Sequence, residues 1–261
     1  MKNFFVIGDQ ASKSLSPLIF NYWFKKYNLK AKYSYIQTDK ASFDKKIKQV
    51  LSDNKTRGLN ITIPFKRQAI KHAGILDIHS KTIQAVNCIT KKNNIEGSNT
   101  DWVGYFKSLP KNSTLSKKTV VLIGYGGAAH AIHYLLLKKK VKKIIIINKT
   151  KRKLKFTKKN RFTTPVNKLQ KYINIADIII NATPINPIKE KHVSLVKKTA
   201  IVSDIVYKPK ETLFLKQFPK NKKTYGINML IYQAIPCFKK WFGFYPSVDK
   251  KLLQLINKKI L

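Results

Sequence analysis

Cysteine, methionine, arginine and acid are all scarce in this 261-residue chain: two Cys, two Met, 12 Asp plus Glu, and only Arg57, Arg67, Arg152 and Arg161 among 53 basic residues. Cys88 and Cys237 make no disulfide framework and lack metal-ligand spacing, so they read as reduced, partly buried thiols. The longest apolar runs, such as Ile144 to Ile147 and Ile178 to Ile180, fall far short of the ~18 residues a membrane-spanning helix needs. The N-terminus enters a strand-like Phe4-Phe5-Val6-Ile7 directly, so no signal peptide is read and a cytoplasmic protein is expected. His72, His79, His130, His133 and His192 are not placed like a metal site. His130 and His133 share a helical face but no third ligand accompanies them, and no metal is expected.

Lysine, by contrast, is abundant, and the net charge of +41 raises nucleic-acid or membrane-surface binding. The cations are spread along the chain, without a basic tail, an Arg-rich tract or an RNP-type aromatic motif. Together with many Asn and Ile, the bias looks like drift toward AT-rich codons and not like a selected binding stripe. The expectation is therefore no specific nucleic acid and no membrane as partner. Hydrophobic residues at 43% and aromatics at 11% suffice for a core, and the length suits two lobes.

Phe4 to Ile7 reads as a strand, and Leu18, Ile19, Tyr22, Trp23 and Tyr27 recur at helical intervals. Lys32 to Gln37 follows as a strand, then a helix marked by Phe43, Ile47, Val50 and Leu51. Gly58 to Ile63 is a strand stopped by Pro64, and Cys88 to Lys91 with Ile95 to Ser98 form a hairpin about Asn93-Asn94. A second series starts at Thr119: apolar runs at Val120 to Ile123, Ile144 to Ile147, Ile178 to Ile180 and Ala200 to Val206 suit strands of a doubly wound parallel sheet. Helices from about Asn228 to Trp241 and Ser247 to Ile260 have no sheet of their own and are expected to return to the first lobe.

Gly124-Tyr125-Gly126-Gly127-Ala128-Ala129 matches G-x-G-x-x-A between a strand and a helix, the context a dinucleotide-binding fingerprint requires. The turn glycine, the close backbone approach at the second glycine and the helix N-terminus together suit a pyrophosphate. An NAD site usually has an acid about 20 residues on, but none occurs between Asp101 and Asp177. Asn148-Lys149-Thr150-Lys151-Arg152-Lys153 stands there instead, offering cations and a hydroxyl to a 2′-phosphate, which points to NADP.

The first lobe also carries Ser14-Leu15-Ser16-Pro17, Asn60-Ile61-Thr62-Ile63-Pro64-Phe65-Lys66, Ala85-Val86-Asn87 and Asn99-Thr100-Asp101-Trp102-Val103-Gly104. Neutral donors with one lysine and one aspartate suit a small polyhydroxylated acid: the amides and hydroxyls orient substrate OH groups, and a Lys and Asp pair can move a proton. Ser16 also reads as a helix N-cap before Pro17.

With N-K-T, N-A-T, D-I-V-Y-K-P and G-I-N-M-L-I-Y-Q-A following in order, the chain from Ile7 to about Gly243 resembles the shikimate dehydrogenase family. The resemblance implies two α/β domains. The first is a discontinuous substrate-binding and catalytic domain of residues 1–101 completed by 234–261, and the second a Rossmann-like NADP-binding domain of residues 102–233. It implies NADPH-dependent reversible reduction of 3-dehydroshikimate to shikimate, on the way to chorismate and the aromatic amino acids, by a monomer or homodimer. Position by position, Ser14, Ser16, Asn60, Thr62, Lys66, Asn87, Asp101 and Gln233 match substrate contacts, and Lys66 and Asp101 match the catalytic pair. Gly124, Gly126, Gly127, Ala128 and Ala129 match the phosphate loop, and Asn148, Lys149, Thr150 and Lys153 the adenosine-phosphate clamp. Tyr207 is expected near substrate, and Thr183, Gly226 and Met229 near the cofactor.

Some positions depart from the family pattern. Lys13 and Phe20 stand where histidines are usual, and Pro184 follows Thr183 where a Ser or Thr and then a glycine are more common. Lys149 and Lys153 replace arginines, which removes the planar bidentate fork and predicts weaker 2′-phosphate discrimination. Pro236 is expected to kink or break the helix carrying Gln233. Two alternatives stand beside this reading: a quinate/shikimate dehydrogenase paralogue of broader use, and a basic nucleic-acid-binding protein on a dehydrogenase scaffold.

Overall fold

The structure, a computed structural model, describes residues 1–149 and 161–260. The chain divides into two compact units, Met1–Gly104 with Ile231–Lys259, and Tyr105–Leu230 with Ile260.

In the first unit the elements run β1 (Lys2–Gly8), α1 (Ser16–Lys26), β2 (Ala31–Gln37), α2 (Phe43–Ser52), β3 (Thr56–Ile61), β4 (Ile75–Leu76), α3 (Ile78–Ile83), β5 (Cys88–Lys91) and β6 (Ile95–Ser98). They build one sheet in the order β2-β1-β3-β5-β6-β4. β1 pairs in parallel with β2 and β3, whereas β5 runs antiparallel to both β3 and β6. Asn60 of β3 and Ser98 of β6 both face Cys88, the first residue of β5. The ends of β3 and β6 and the start of β5 therefore meet at one edge, and the loops that leave there carry the polar motifs. One face of the sheet packs on Phe43, Ile47 and Leu51 of α2 with Phe65 and Ala69. The other is covered by rings: Phe4, Phe20, Phe24 and Tyr33 each lie within 4.6–6.2 Å of the Trp241 ring, of one another or of Phe242.

The second unit begins within α4 (Asp101–Ser108) and continues through β7 (Thr119–Ile123), α5 (Gly127–Lys138), β8 (Lys143–Ile147), β9 (Arg161–Thr164), α6 (Leu169–Ile173), β10 (Ile178–Asn181), β11 (Ile201–Asp204), α7 (Leu213–Lys216) and β12 (Lys222–Thr224). All its strand pairs are parallel and the order is β12-β11-β10-β7-β8-β9. Numbered within the unit, that is the doubly wound order of a Rossmann sheet, with its reversal beside β7. Val120 to Ile123 and Ile144 to Ile147 are buried throughout, as strands covered on both faces must be. The chain ends in α8 (Gly226–Phe242) and α9 (Lys250–Ile260).

Several boundaries differ from the sequence reading. β3 ends at Ile61, because Phe65 N already turns back to the Thr62 carbonyl at 3.1 Å. β11 ends at Asp204, whose carboxylate accepts the Val206 amide at 3.0 Å and turns the chain. α9 starts only after Asp249, which accepts Leu252 N at 2.9 Å. Ser16 is the first residue of α1 and not its cap, a position held by Leu15. The expected break at Pro236 is absent: α8 runs through it. A proline inside a helix costs about 3 kcal/mol, but Ile231, Ala234, Cys237 and Phe238 are buried along the same helix, and their packing outweighs one lost backbone bond.

Candidate active site

Lys66 leaves the loop after β3, and its own carbonyl accepts Val86 N at 2.7 Å, which fixes the backbone beneath the side chain. Its Nζ donates to Oδ2 of Asp101 at 2.7 Å, and the two side chains are 12% and 5% exposed. Asp101 opens α4, where the helix dipole favours a carboxylate, and Asn99 Oδ1 accepts its amide at 3.1 Å.

Asn87 is the hub. Its Nδ2 reaches Asp101 Oδ1 at 2.8 Å, Thr100 Oγ1 at 2.9 Å and Gln233 Oε1 at 3.1 Å, while its Oδ1 accepts Thr100 N at 2.7 Å. Asn60 donates to the Asn87 carbonyl at 3.0 Å and accepts from the buried Tyr33 hydroxyl at 2.8 Å. Burial holds the Tyr33 phenol well above its ordinary range, with the Ser16 hydroxyl beside it acting the other way. Ser14 Oγ accepts Ser16 N at 3.2 Å. Thr62 lies at the same strand edge, its amide on the Ile7 carbonyl at 3.0 Å. Asn60, Lys66, Asn87, Asp101 and Gln233 are thus one connected network, with Ser16 joined through Tyr33.

Four members of this network were not singled out as site residues from the sequence: Tyr33, Asn99, Thr100 and Cys237, whose sulfur lies 3.2 Å from Asn60 Nδ2. Thr100 and Asn99 lay in plain view within the N-T-D motif, and Cys237 sits one helical turn after Gln233, a spacing that places both on one face of α8.

In the second unit, Gly124 has φ +90°, and a Cβ there would meet Thr183 Cγ2 at 2.7 Å and the Ala182 carbonyl at 3.0 Å. Gly126 precedes α5, and a Cβ built on it meets nothing within 4 Å, so the backbone faces open space at the helix N-terminus. Gly127, Ala128 and Ala129 form the first turn of α5 and direct their amides into that space. A dinucleotide pyrophosphate fits this arrangement. Tyr125 turns aside, its hydroxyl 2.7 Å from His133 Nδ1. Thr183 is held by Asn181, whose Oδ1 accepts both its amide at 3.0 Å and its hydroxyl at 2.7 Å. Asn181 Nδ2 in turn donates to Asp204 at 3.3 Å, and Thr212 Oγ1 donates to the same carboxylate at 2.6 Å. Burial raises the Asp204 carboxyl above the usual range, against these two bonds and that from Val206.

Asn148 N donates to the Thr164 carbonyl at 3.1 Å and Lys149 is exposed, while Thr150 and Lys153 lie outside the described residues. Gly226 starts α8 against the Ile205 and Val206 carbonyls, which a Cβ would approach to 2.4 and 2.5 Å. Met229 is buried and Tyr207 half-buried, just beyond β11. Among the described residues no cluster of His, Cys, Asp and Glu could hold a metal ion, and no helix is long and apolar enough to cross a membrane.

A Rossmann-like unit with a glycine-rich strand-to-helix loop and an α/β unit that carries a buried Lys-Asp pair define a two-domain nucleotide-dependent oxidoreductase. Family models place the chain further: residues 6–89 match the shikimate dehydrogenase substrate binding domain, and residues 108–207 match shikimate / quinate 5-dehydrogenase. A shikimate dehydrogenase (NADP(+)) of Pelagibacter ubique is 35% identical over 98% of this chain and 99% of its own length. The shikimate dehydrogenase structure from Aquifex aeolicus superposes with a TM-score of 0.85 at 30% identity, covering 98% of this chain and 97% of that one. Another, solved in complex with NADP+, gives 0.84 at 28% identity over 100% and 94%. The chain belongs to the shikimate dehydrogenase family.

Proposed function

We propose that this protein catalyses the NADPH-dependent, reversible reduction of 3-dehydroshikimate to shikimate, with Lys66 and Asp101 as its catalytic pair. The observation that carries the reading is the Lys66–Asp101 contact at 2.7 Å, buried and braced by Asn87. The cofactor, when bound, supplies a hydride to the ketone carbon. The Lys66 ammonium stabilises negative charge growing on the carbonyl oxygen and gives it a proton, so that C=O becomes CH–OH. Lysine then regains its proton from solvent. Asp101 orients the ammonium through Oδ2 and is itself held through Oδ1, which fixes the direction of proton transfer.

Asn60, Asn87 and Gln233 present amide groups, and Ser14, Ser16 and Thr62 present hydroxyls, to the carboxylate and hydroxyls of the substrate; Tyr207 adds a phenol. The α5 amides and the Gly126 opening hold the pyrophosphate, Asn148, Lys149, Thr150 and Lys153 the 2′-phosphate, and Thr183, Gly226 and Met229 the nicotinamide end. A cytoplasmic monomer or homodimer that needs only small molecules completes the reading. Incubation with shikimate and NADP+ should produce NADPH. Turnover of quinate with NAD+ in preference to that pair would overturn the assignment.

A further inference from the structure

Cys237 is buried with no exposure, on α8 one turn beyond Gln233. Its sulfur accepts Asn60 Nδ2 at 3.2 Å, lies 3.2 Å from Thr100 Oγ1 and donates to the Gln233 carbonyl at 3.3 Å. Burial alone would push this thiol up, but hydrogen bonds from Cys88, Thr100 and Asn60 bring it down. The neighbouring Cys88 is held well above its ordinary range by burial and by its bond to Cys237. The Cys237 sulfur thus accepts from Asn60, meets the Thr100 hydroxyl and donates to the Gln233 carbonyl.

The placement matters because each thing this sulfur touches bears on the substrate network. Asn60 Nδ2 has two protons, and the Asn87 carbonyl takes one of them, at 3.0 Å. The sulfur takes the other, which fixes the amide plane and so the direction of Oδ1. Thr100 touches both Asn87 and Gln233. One buried atom thus sets the orientation of two side chains, Asn60 and Thr100, and through Thr100 bears on Gln233, none of them in the Lys66–Asp101 pair.

We propose that Cys237 is a positioning residue for substrate: its sulfur holds Asn60 and Thr100, and through Thr100 Gln233, in the orientation that meets the substrate hydroxyls. This rests on the function proposed above. Side chains that grip substrate equally in ground and transition state act on affinity and leave the chemical step alone. Cys237→Ala leaves one buried Asn60 proton without an acceptor and frees Thr100 to turn. The expected result is a shikimate Kd and KM raised about tenfold, corresponding to one lost buried hydrogen bond, with kcat reduced less than threefold and KM for NADP+ unchanged. Cys237→Ser restores an acceptor and should return KM to within about threefold of the parent.

Calorimetric titration with shikimate, alongside steady-state rates and thermal melting of the same samples, separates the outcomes. A lowered melting temperature with shikimate Kd unchanged in both variants makes Cys237 a packing residue and overturns the proposal. So does a KM for NADP+ that rises in step with that for shikimate. If Cys237→Ala does not fold, the serine variant decides: failure to bind shikimate as the parent does, while melting normally, contradicts the acceptor role. Parent protein that neither binds nor oxidises shikimate overturns the functional reading as well, and only that result reaches it.

Discussion

Replacing Asn87 by alanine removes five side-chain contacts at once, and the energies of the four shortest can be ranked. The bond to Asp101, at 2.8 Å to an ionised acceptor, is the strongest; such bonds contribute about 1.5–3 kcal/mol. The bond from Thr100 N, at 2.7 Å, leaves a buried amide without a partner when it is lost, at a cost of about 1–3 kcal/mol. Contacts with Thr100 Oγ1 and Gln233 at 2.9 and 3.1 Å compete for the same two amide protons and do not add in full. A net destabilisation of about 3–4 kcal/mol follows, or a melting-temperature fall of roughly 10 °C for a chain of this size. Asn87→Asp refines the test, because it keeps the shape and the bond from Thr100 N but turns the donor to Asp101 into a second negative charge. The electrostatic account expects it to melt as low as the alanine variant at neutral pH, and to lose kcat/KM by at least a hundredfold through misplacing Asp101. If Asn87→Asp melts within 2 °C of the parent, packing and not the donor bond holds this site, and the reasoning fails.

Three further outcomes follow from other parts of the molecule. Burial, with His130 and Arg161 adding to it, brings the His133 imidazole down to about 4. The unfolded chain therefore binds the extra proton first, and stability is lost as pH falls from about 6.5 toward 4, by roughly 3 kcal/mol in total. Melting curves between pH 7.5 and 4.5 should show this loss, and His133→Gln should remove it; an unchanged acid sensitivity in the variant contradicts the assignment. With Lys149 in place of an arginine, NADPH should be preferred over NADH by less than a bidentate clamp gives, and Lys149→Arg should widen the ratio in steady-state assays. The charge of +41 should speed capture of anionic cofactor and substrate. Raising ionic strength from 0.01 to 0.15 M shortens the screening length from about 30 to about 8 Å and should lower kcat/KM several-fold; a flat response refutes this.

What the sequence made legible was whatever depends on local spacing. The G-x-G-x-x-A loop lies between an apolar strand and a helix, so the open face at Gly126 followed from adjacent residues, and the recurring apolar runs pointed to the doubly wound parallel sheet. The Lys66–Asp101 partnership was legible only through motif order, since 35 positions separate them and the sheet edge brings them together. Cys237 escaped because a buried thiol has no sequence signature: its part comes from the register of α8 against Asn60, 177 positions away. At Pro236 the break, one of the two outcomes expected, does not occur, its local preference being overruled by tertiary packing that no window of sequence contains. β4 and β12 are two and three residues long, too short for any period-two pattern to show.

The central claim, that a buried Lys-Asp pair moves the proton of a shikimate-to-ketone interconversion, is tested most directly by the initial rate of NADPH formation from shikimate and NADP+. The rates of the parent, Lys66→Ala and Asp101→Asn are measured side by side at saturating substrates. The account predicts a robust parent rate and a kcat reduced by about 10²–10⁴ in each variant, the range general acid–base groups supply. Variants that fold, bind shikimate and keep kcat within a few-fold of the parent would contradict it.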